Sequence, residues 1–189
     1  MYKQTIPLIL ASKSPRRQEL MQAMGLSFDV VLKDVDESYP DGLSPQQIAC
    51  YIAEKKAKAF TSERLNSLVI TADTIVAYNG EILGKPENDT HAIEMLTKLS
   101  GTTHQVFTGV SLAYQDKLET FYDETEVCFR ELTKEEIEYY VTVYKPLDKA
   151  GSYGIQDWLG FISVVKITGS YTNVMGLPTE KLYSALSNF

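Results

Sequence analysis

Residues 6–20 read IPLILASKSPRRQEL. An apolar run (Ile6, Leu8, Ile9, Leu10) meets a short polar turn, and the turn opens a helix. Ser14 has the N-cap residue type, and Pro15 suits the first helical position, where its missing N–H is no loss. Leu20, Met21 and Met24 fall on one face of a helix over 15–25, and Gly25 is its stop. A second strand is expected at 28–32. Strand, helix and strand in so short a stretch predict a βαβ unit. The polar turn then lies at the carboxyl end of the first strand, where open α/β sheets bind ligands.

Arg16 and Arg17 stand in the first turn of that helix. A helix N-terminus carries partial positive charge, so each arginine there costs roughly 0.3–1 kcal/mol at low salt. An anion at the turn would offset that cost. Free backbone N–H groups, the Ser12 and Ser14 hydroxyls, Lys13 and two guanidinium forks together suit a phosphate. The same residues also fit a solvated basic turn.

The 189 residues carry a formal net charge of −7, which argues against general nucleic-acid binding and requires a local basic cluster or a metal to meet an anionic substrate. A chain of this length is expected to form one unit, 1–189, or two tightly packed lobes. Cys50 and Cys128 resemble neither a metal pair nor a disulfide framework and are expected to be buried free thiols. The N-terminal apolar stretch is short for a signal peptide and no run approaches membrane-spanning length, so a cytoplasmic setting with no membrane partner is expected.

A capping box with proline at the first helical position (Ser44-Pro45-Gln46-Gln47) starts a helix read to about Glu63, on which Lys55, Lys56 and Lys58 cluster. One of these lysines is expected to reach a phosphate. The preceding loop, 34–42, is acidic. Further helices are expected at 90–100, from a Thr133 capping box to Pro146, and at 179–187. A long hairpin is expected around Gln115-Asp116, and a final strand over 159–167. His91 is expected at the surface, and His104, just before a strand, is not expected to act as a ligand or base.

The stretch 68–86, LVITADTIVAYNGEILGKP, holds the most informative carboxylate. Asp73-Thr74 interrupts an apolar run, and a carboxylate there is expensive unless it is paired, hydrogen-bonded or metal-bound. Asp73 is therefore expected either at a strand end facing a cleft or capped by neighbours. Asn79-Gly80 is a type I′ hairpin signal and returns Gly84-Lys85-Pro86 toward Asp73. Near the C-terminal third, LDKAGSYGIQ over 147–156 has a glycine density that permits close backbone approach to a ligand.

Taken in order, SxSPRR, ADT, GKP, DKAGxYGIQ and GSYxNVxGLP resemble the Maf family of nucleotide pyrophosphatases, and the resemblance covers nearly the whole chain. It implies an α/β fold like that of inosine triphosphate pyrophosphatase: a two-lobed mixed sheet flanked by helices, with a nucleotide cleft between the lobes. It implies hydrolysis of a nucleoside triphosphate between the α and β phosphates, with a divalent cation (Mg²⁺, Mn²⁺ or Co²⁺). Arg16 would hold phosphate, supported by Ser12, Ser14 and Arg17, with Lys55 and Lys85 as further contacts. Asp73 matches the family's catalytic aspartate, as base or as metal ligand, and Glu37 is the second metal candidate. Arg16, Thr74 and Gln156 match the selectivity positions of the family's dTTP/UTP branch, and a glutamine amide can pair with the thymine or uracil edge. Trp158 stands where a small residue is expected and would reshape the base pocket. A homodimer is a further implication. Two other readings accompany this one: a nucleotide-sensing regulator of septum formation and cell division, and an enzyme of the 7-methyl-GTP branch.

Overall fold

The computed structural model describes residues 4–189. Seven strands form one mixed sheet in the order β2-β1-β3-β5-β6-β7, with β4 paired to β3. Strand β1 (Leu8–Leu10) leads through the SKSPRR turn into α1 (Pro15–Ala23), and β2 (Phe28–Val30) returns parallel to β1. This is the βαβ unit expected. Gly25 adopts φ +73° and ends the helix as predicted.

Helix α2 (Pro45–Lys58) begins with the Gln47 side chain accepting from the Ser44 N–H at 2.9 Å. It ends five residues short of the expected Glu63, because Phe60 turns in to the core at 1% exposure and a separate 3₁₀ turn occupies Glu63–Leu65. Strand β3 (Leu68–Tyr78) and β4 (Glu81–Leu83) form the Asn79-Gly80 hairpin, both turn residues having positive φ. Helix α3 (Asp89–Leu99) is capped by Asn88, and α4 (Lys134–Tyr144) by Thr133 and Glu136. Between them run β5 (Thr103–Tyr114) and β6 (Lys117–Phe129), the long antiparallel hairpin.

One expected element is corrected. Residues 159–167 are not a single strand: α5 (Trp158–Ser163) precedes a shorter β7 (Val164–Thr168). Leu159, Gly160 and Ser163 are buried while Phe161 is 76% exposed, a helical spacing, and Gly160 lies so close to the Ile155 carbonyl that a Cβ would clash. A short helix, α6 (Tyr171–Met175), and α7 (Thr179–Leu186) complete the chain. The two cysteines are free, but half-buried rather than buried.

Strand β3 organises the molecule. Its alternating side chains serve opposite faces. Leu68, Ile70 and Ala72 pack with α1 and α7, and Val76 with α3 and α4. Val69, Ile75 and Ala77 face α2. One edge of β3 pairs with β5 from Val69 to Ala77. Its other edge is shared: β1 takes Leu68–Ile70 and β4 takes Val76–Tyr78. Residues 71–75 therefore face a gap between two partner strands, and Asp73 and Thr74 lie in that gap. They sit in mid-strand, not at a strand end.

Candidate active site

A cavity of about 490 Å³ opens at the gap, within the size range of small-molecule sites. Its walls come from the SKSPRR turn, the 32–37 loop, β3, the Lys85 turn, the 148–156 turn and the 174–176 turn.

Asp73 points to the α2 face. Its Oδ1 accepts from the Lys56 ammonium at 2.8 Å, and Lys56 also lies 2.8 Å from Glu37 Oε1. One cation thus joins the two carboxylates that the family resemblance implies as metal candidates. Burial pushes the Glu37 carboxyl up, but the hydrogen bond and charge of Lys56, with Lys85 and Arg17 nearby, outweigh it and hold the group below its ordinary value. Lys55, the expected phosphate contact, faces away. It pairs with Asp36 at 3.0 Å and is not part of the cavity wall. Lys56 takes the inward position, and the helical phase shows why. At ~100° per residue it falls in the middle of the stripe formed by Ile48, Ala49, Ile52, Ala53 and Ala57, and Lys55 lies to one side.

On the opposite face, Arg17 makes four hydrogen bonds to the protein. Its Nε donates to the Gly176 carbonyl (2.7 Å), Nη1 to the Ala72 carbonyl (2.9 Å) and Ser12 Oγ (3.2 Å), and Nη2 to Thr74 Oγ1 (3.1 Å). Ala72 is one of the β3 residues at the gap, so the guanidinium substitutes there for a missing strand partner. Burial lowers the Arg17 pKa, against the opposing pull of Asp73. Arg16 keeps a looser contact, 3.6 Å from Asp148 Oδ2. Ser12 is buried and its Oγ also accepts from the Ser14 N–H at 3.2 Å. Ser14 occupies the N-cap position, but its side chain makes no capping bond. Ser14, Arg16 and Lys85 all line the cavity.

The far end of the cavity is apolar. Val76 and Val106, register partners across β3 and β5, join Val174, Met175 and Tyr153 there. Tyr153 OH meets buried His104 Nε2 at 2.7 Å, and burial depresses the imidazole pKa to about 4. The Tyr140 hydroxyl donates to Asp157 at 2.8 Å and accepts from the Gly154 N–H at 3.1 Å, which fixes the loop that presents Gln156. Gln156 lines the cavity, and its Oε1 is buried with no protein partner. Trp158 does not enter the cavity. It packs edge-on against Tyr139 of α4, ring centroids 4.9 Å apart, so the expected intrusion into a base pocket is corrected.

Among the described residues, no three His, Cys, Asp or Glu side chains form a ready cation cage. Glu37 and Asp73 nonetheless converge on one cation. A hard divalent ion held by one or two carboxylates and completed by substrate phosphates needs no larger protein set, so the residues present fit such an ion.

A family model described as Maf-like protein matches residues 7–189. The chain belongs to the Maf family. Among its Maf relatives, the dTTP/UTP pyrophosphatase of Phocaeicola vulgatus is 53% identical over 181 residues, covering 95% of this chain and 94% of that protein. The dTTP/UTP pyrophosphatase of Flavobacterium johnsoniae is 48% identical, covering 95% and 93%. A solved HAM1 protein from Coxiella burnetii superposes with a TM-score of 0.54 at 14% identity, over 98% of this chain and 100% of that one. That likeness concerns the fold alone, and it agrees with the mixed, helix-flanked sheet expected of a Maf protein. Among the described residues no helix is long and apolar enough to cross a membrane.

Proposed function

We propose that this Maf protein hydrolyses dTTP and UTP to the monophosphate and pyrophosphate, with a divalent cation. The observation that carries the reading is the placement of Asp73, held by Lys56 beside Glu37, in the one gap of the β3 edge, between a cationic turn and an apolar recess. The names of the relatives support the substrate class.

A nucleoside triphosphate has an anionic and a largely apolar end, and so does the cavity. Arg16, Lys85 and the Ser12–Ser14 turn would receive phosphates, and Arg17 would mainly support them, since four protein acceptors leave only one of its five N–H groups over. Lys55 has no part in this reading; Lys56, the inward lysine, serves the carboxylates rather than the phosphates. The base would lie between Val76, Val106, Val174 and Met175, with Gln156 offering an amide edge. In the reaction a water oxygen bonds to the α-phosphorus, the bond from that phosphorus to the bridging oxygen breaks, and pyrophosphate leaves with the bond electrons. Asp73 would accept the proton of the attacking water, and Lys56 would fix its carboxylate. A divalent cation at Glu37 and Asp73 would neutralise phosphate charge and acidify the water.

Incubation with dTTP, UTP, CTP, 7-methyl-GTP and dITP, with Mg²⁺, Mn²⁺ or Co²⁺, and separation of products by ion exchange tests the reading. Monophosphate plus pyrophosphate from dTTP and UTP supports it. Preference for 7-methyl-GTP would move the protein to the other branch. Nucleotide binding without any product would make it a sensor, the reading under which a link to division control is direct.

A further inference from the structure

Two consecutive tyrosines of α4 grip the two residues that follow Gln156. The Tyr140 hydroxyl donates to Asp157 Oδ2 and accepts from the Gly154 N–H, and Tyr139 meets the Trp158 ring edge-on. None of the four side chains Tyr139, Tyr140, Asp157 and Trp158 lines the cavity. Between Gly154 and Asp157 the chain turns tightly, the Asp157 N–H donating to the Gly154 carbonyl at 3.0 Å. A Cβ on residue 154 would stand 2.5 Å from Asp157 Oδ2, so the glycine lets the carboxylate fold back over the turn. Tyr140 is fully buried and its ring stacks on Tyr144, which makes it a firm anchor. Burial pushes its hydroxyl far above the ordinary value, an effect that the Gly154 N–H opposes and the Asp157 charge reinforces, so the phenol keeps its proton and the bond to Asp157 keeps its direction. Gln156 has no comparable hold. Its Oε1 is buried without a protein partner, so the carboxamide stands where the turn puts it.

We propose that Tyr140 is a positioning residue for base recognition: by holding Asp157 and the Gly154 N–H on α4 it fixes the turn that presents Gln156 to the base. Tyr140 touches no ligand and acts only through that turn. The Tyr139–Trp158 contact clamps the next residue of the same segment to the same helix. The Asp157-Trp158 pair, where the chain departs from the pattern that the resemblance implies, thereby gains a role. It shapes the base end from outside, through the turn, and not by entering the pocket. This inference rests on the pyrimidine-nucleotide reading of the cavity.

The test measures binding of UMP and of pyrophosphate by calorimetry for the wild type, Y140F, Q156A and the double variant. UMP carries the base and pyrophosphate does not. Y140F removes one oxygen and keeps the ring. It is expected to bind UMP about tenfold more weakly, the size of one hydrogen bond, with pyrophosphate affinity near wild type. In the Q156A background the same substitution should leave UMP affinity almost unchanged, because residues that act through one another are not additive. A tyrosine that only stabilises the fold would weaken both ligands, or weaken UMP alike in both backgrounds. Either result overturns the proposal, as does unchanged UMP affinity in folded Y140F. If Y140F does not fold, D157N and D157L decide. The amide oxygen of D157N still accepts from Tyr140 and should preserve UMP binding, whereas D157L should lose about tenfold; equal UMP affinities in the two overturn the proposal. Because UMP reports binding without turnover, a failure of the hydrolysis reading would appear separately, as absent UTP cleavage with intact UMP binding.

Discussion

Replacing Lys56 with methionine tests the centre of the site. The Lys56 Nζ is 2.8 Å from both Asp73 and Glu37, and the three side chains are 16%, 14% and 49% exposed. Breaking a fully buried pair costs roughly 3–5 kcal/mol, and an exposed one roughly 0–1. This site lies between those limits, and the loss also leaves two carboxylates facing one another, so K56M should be destabilised by about 2–3 kcal/mol. For a chain of this size that is a fall in Tm of about 5–10 °C. Methionine preserves most of the apolar stem, so the deficit is electrostatic. Added Mn²⁺, without nucleotide, should then raise the Tm of K56M more than that of the wild type, because the two carboxylates no longer have a resident cation. Scanning calorimetry with and without Mn²⁺ reads both effects. A K56M Tm equal to wild type, with an equal response to Mn²⁺, would refute the view that Lys56 holds the carboxylate pair.

D73N should lower kcat by about 10²–10⁴, the usual size of a lost general base, with the circular dichroism spectrum unchanged; near-normal turnover would remove Asp73 from the chemistry. R16A and R17K should differ in kind: R16A weakens inhibition by pyrophosphate, while R17K leaves that inhibition near wild type and lowers stability by about 1–3 kcal/mol through unpaired carbonyls. Q156E should erode the ranking of UTP over other nucleotides more than it erodes pyrophosphate binding, as a substrate panel would show. Neutral His104 contributes stability that is fully present above its unfolded pKa of 6.5 and is lost as pH falls through about 4, where the buried ring must take a proton. That loss amounts to about 3 kcal/mol, and H104Q should flatten this part of the stability–pH curve measured by urea titration.

What the sequence disclosed follows from local physics. The proline after Ser14, the glycine at 25, the Asn79-Gly80 pair and the two capping boxes each act within a few residues, and each element starts or turns as expected. Asp73 stood out because a carboxylate in an apolar run needs a partner. That partner, Lys56, was also legible from the helical phase of α2, though the neighbouring Lys55 and Lys58 obscured it. Other features depend on contacts distant in sequence. Apart from Ser12, the partners of the Arg17 side chain lie 55 to 159 positions away, and nothing local distinguishes it from Arg16. Residues 159–163 read as the start of a strand because their apolar run is short, yet the close approach of Gly160 to Ile155 and the burial of Leu159 and Ser163 favour a helical turn. The direction of Trp158 toward Tyr139 depends on that same turn.

Hydrolysis of UTP in ¹⁸O-labelled water, followed by mass spectrometry of both products, bears most directly on the proposed reaction. Attack at the α-phosphorus places the label in UMP and leaves pyrophosphate unlabelled, and D73N should form neither product at an appreciable rate. Label in pyrophosphate, or release of diphosphate and orthophosphate, would contradict the account.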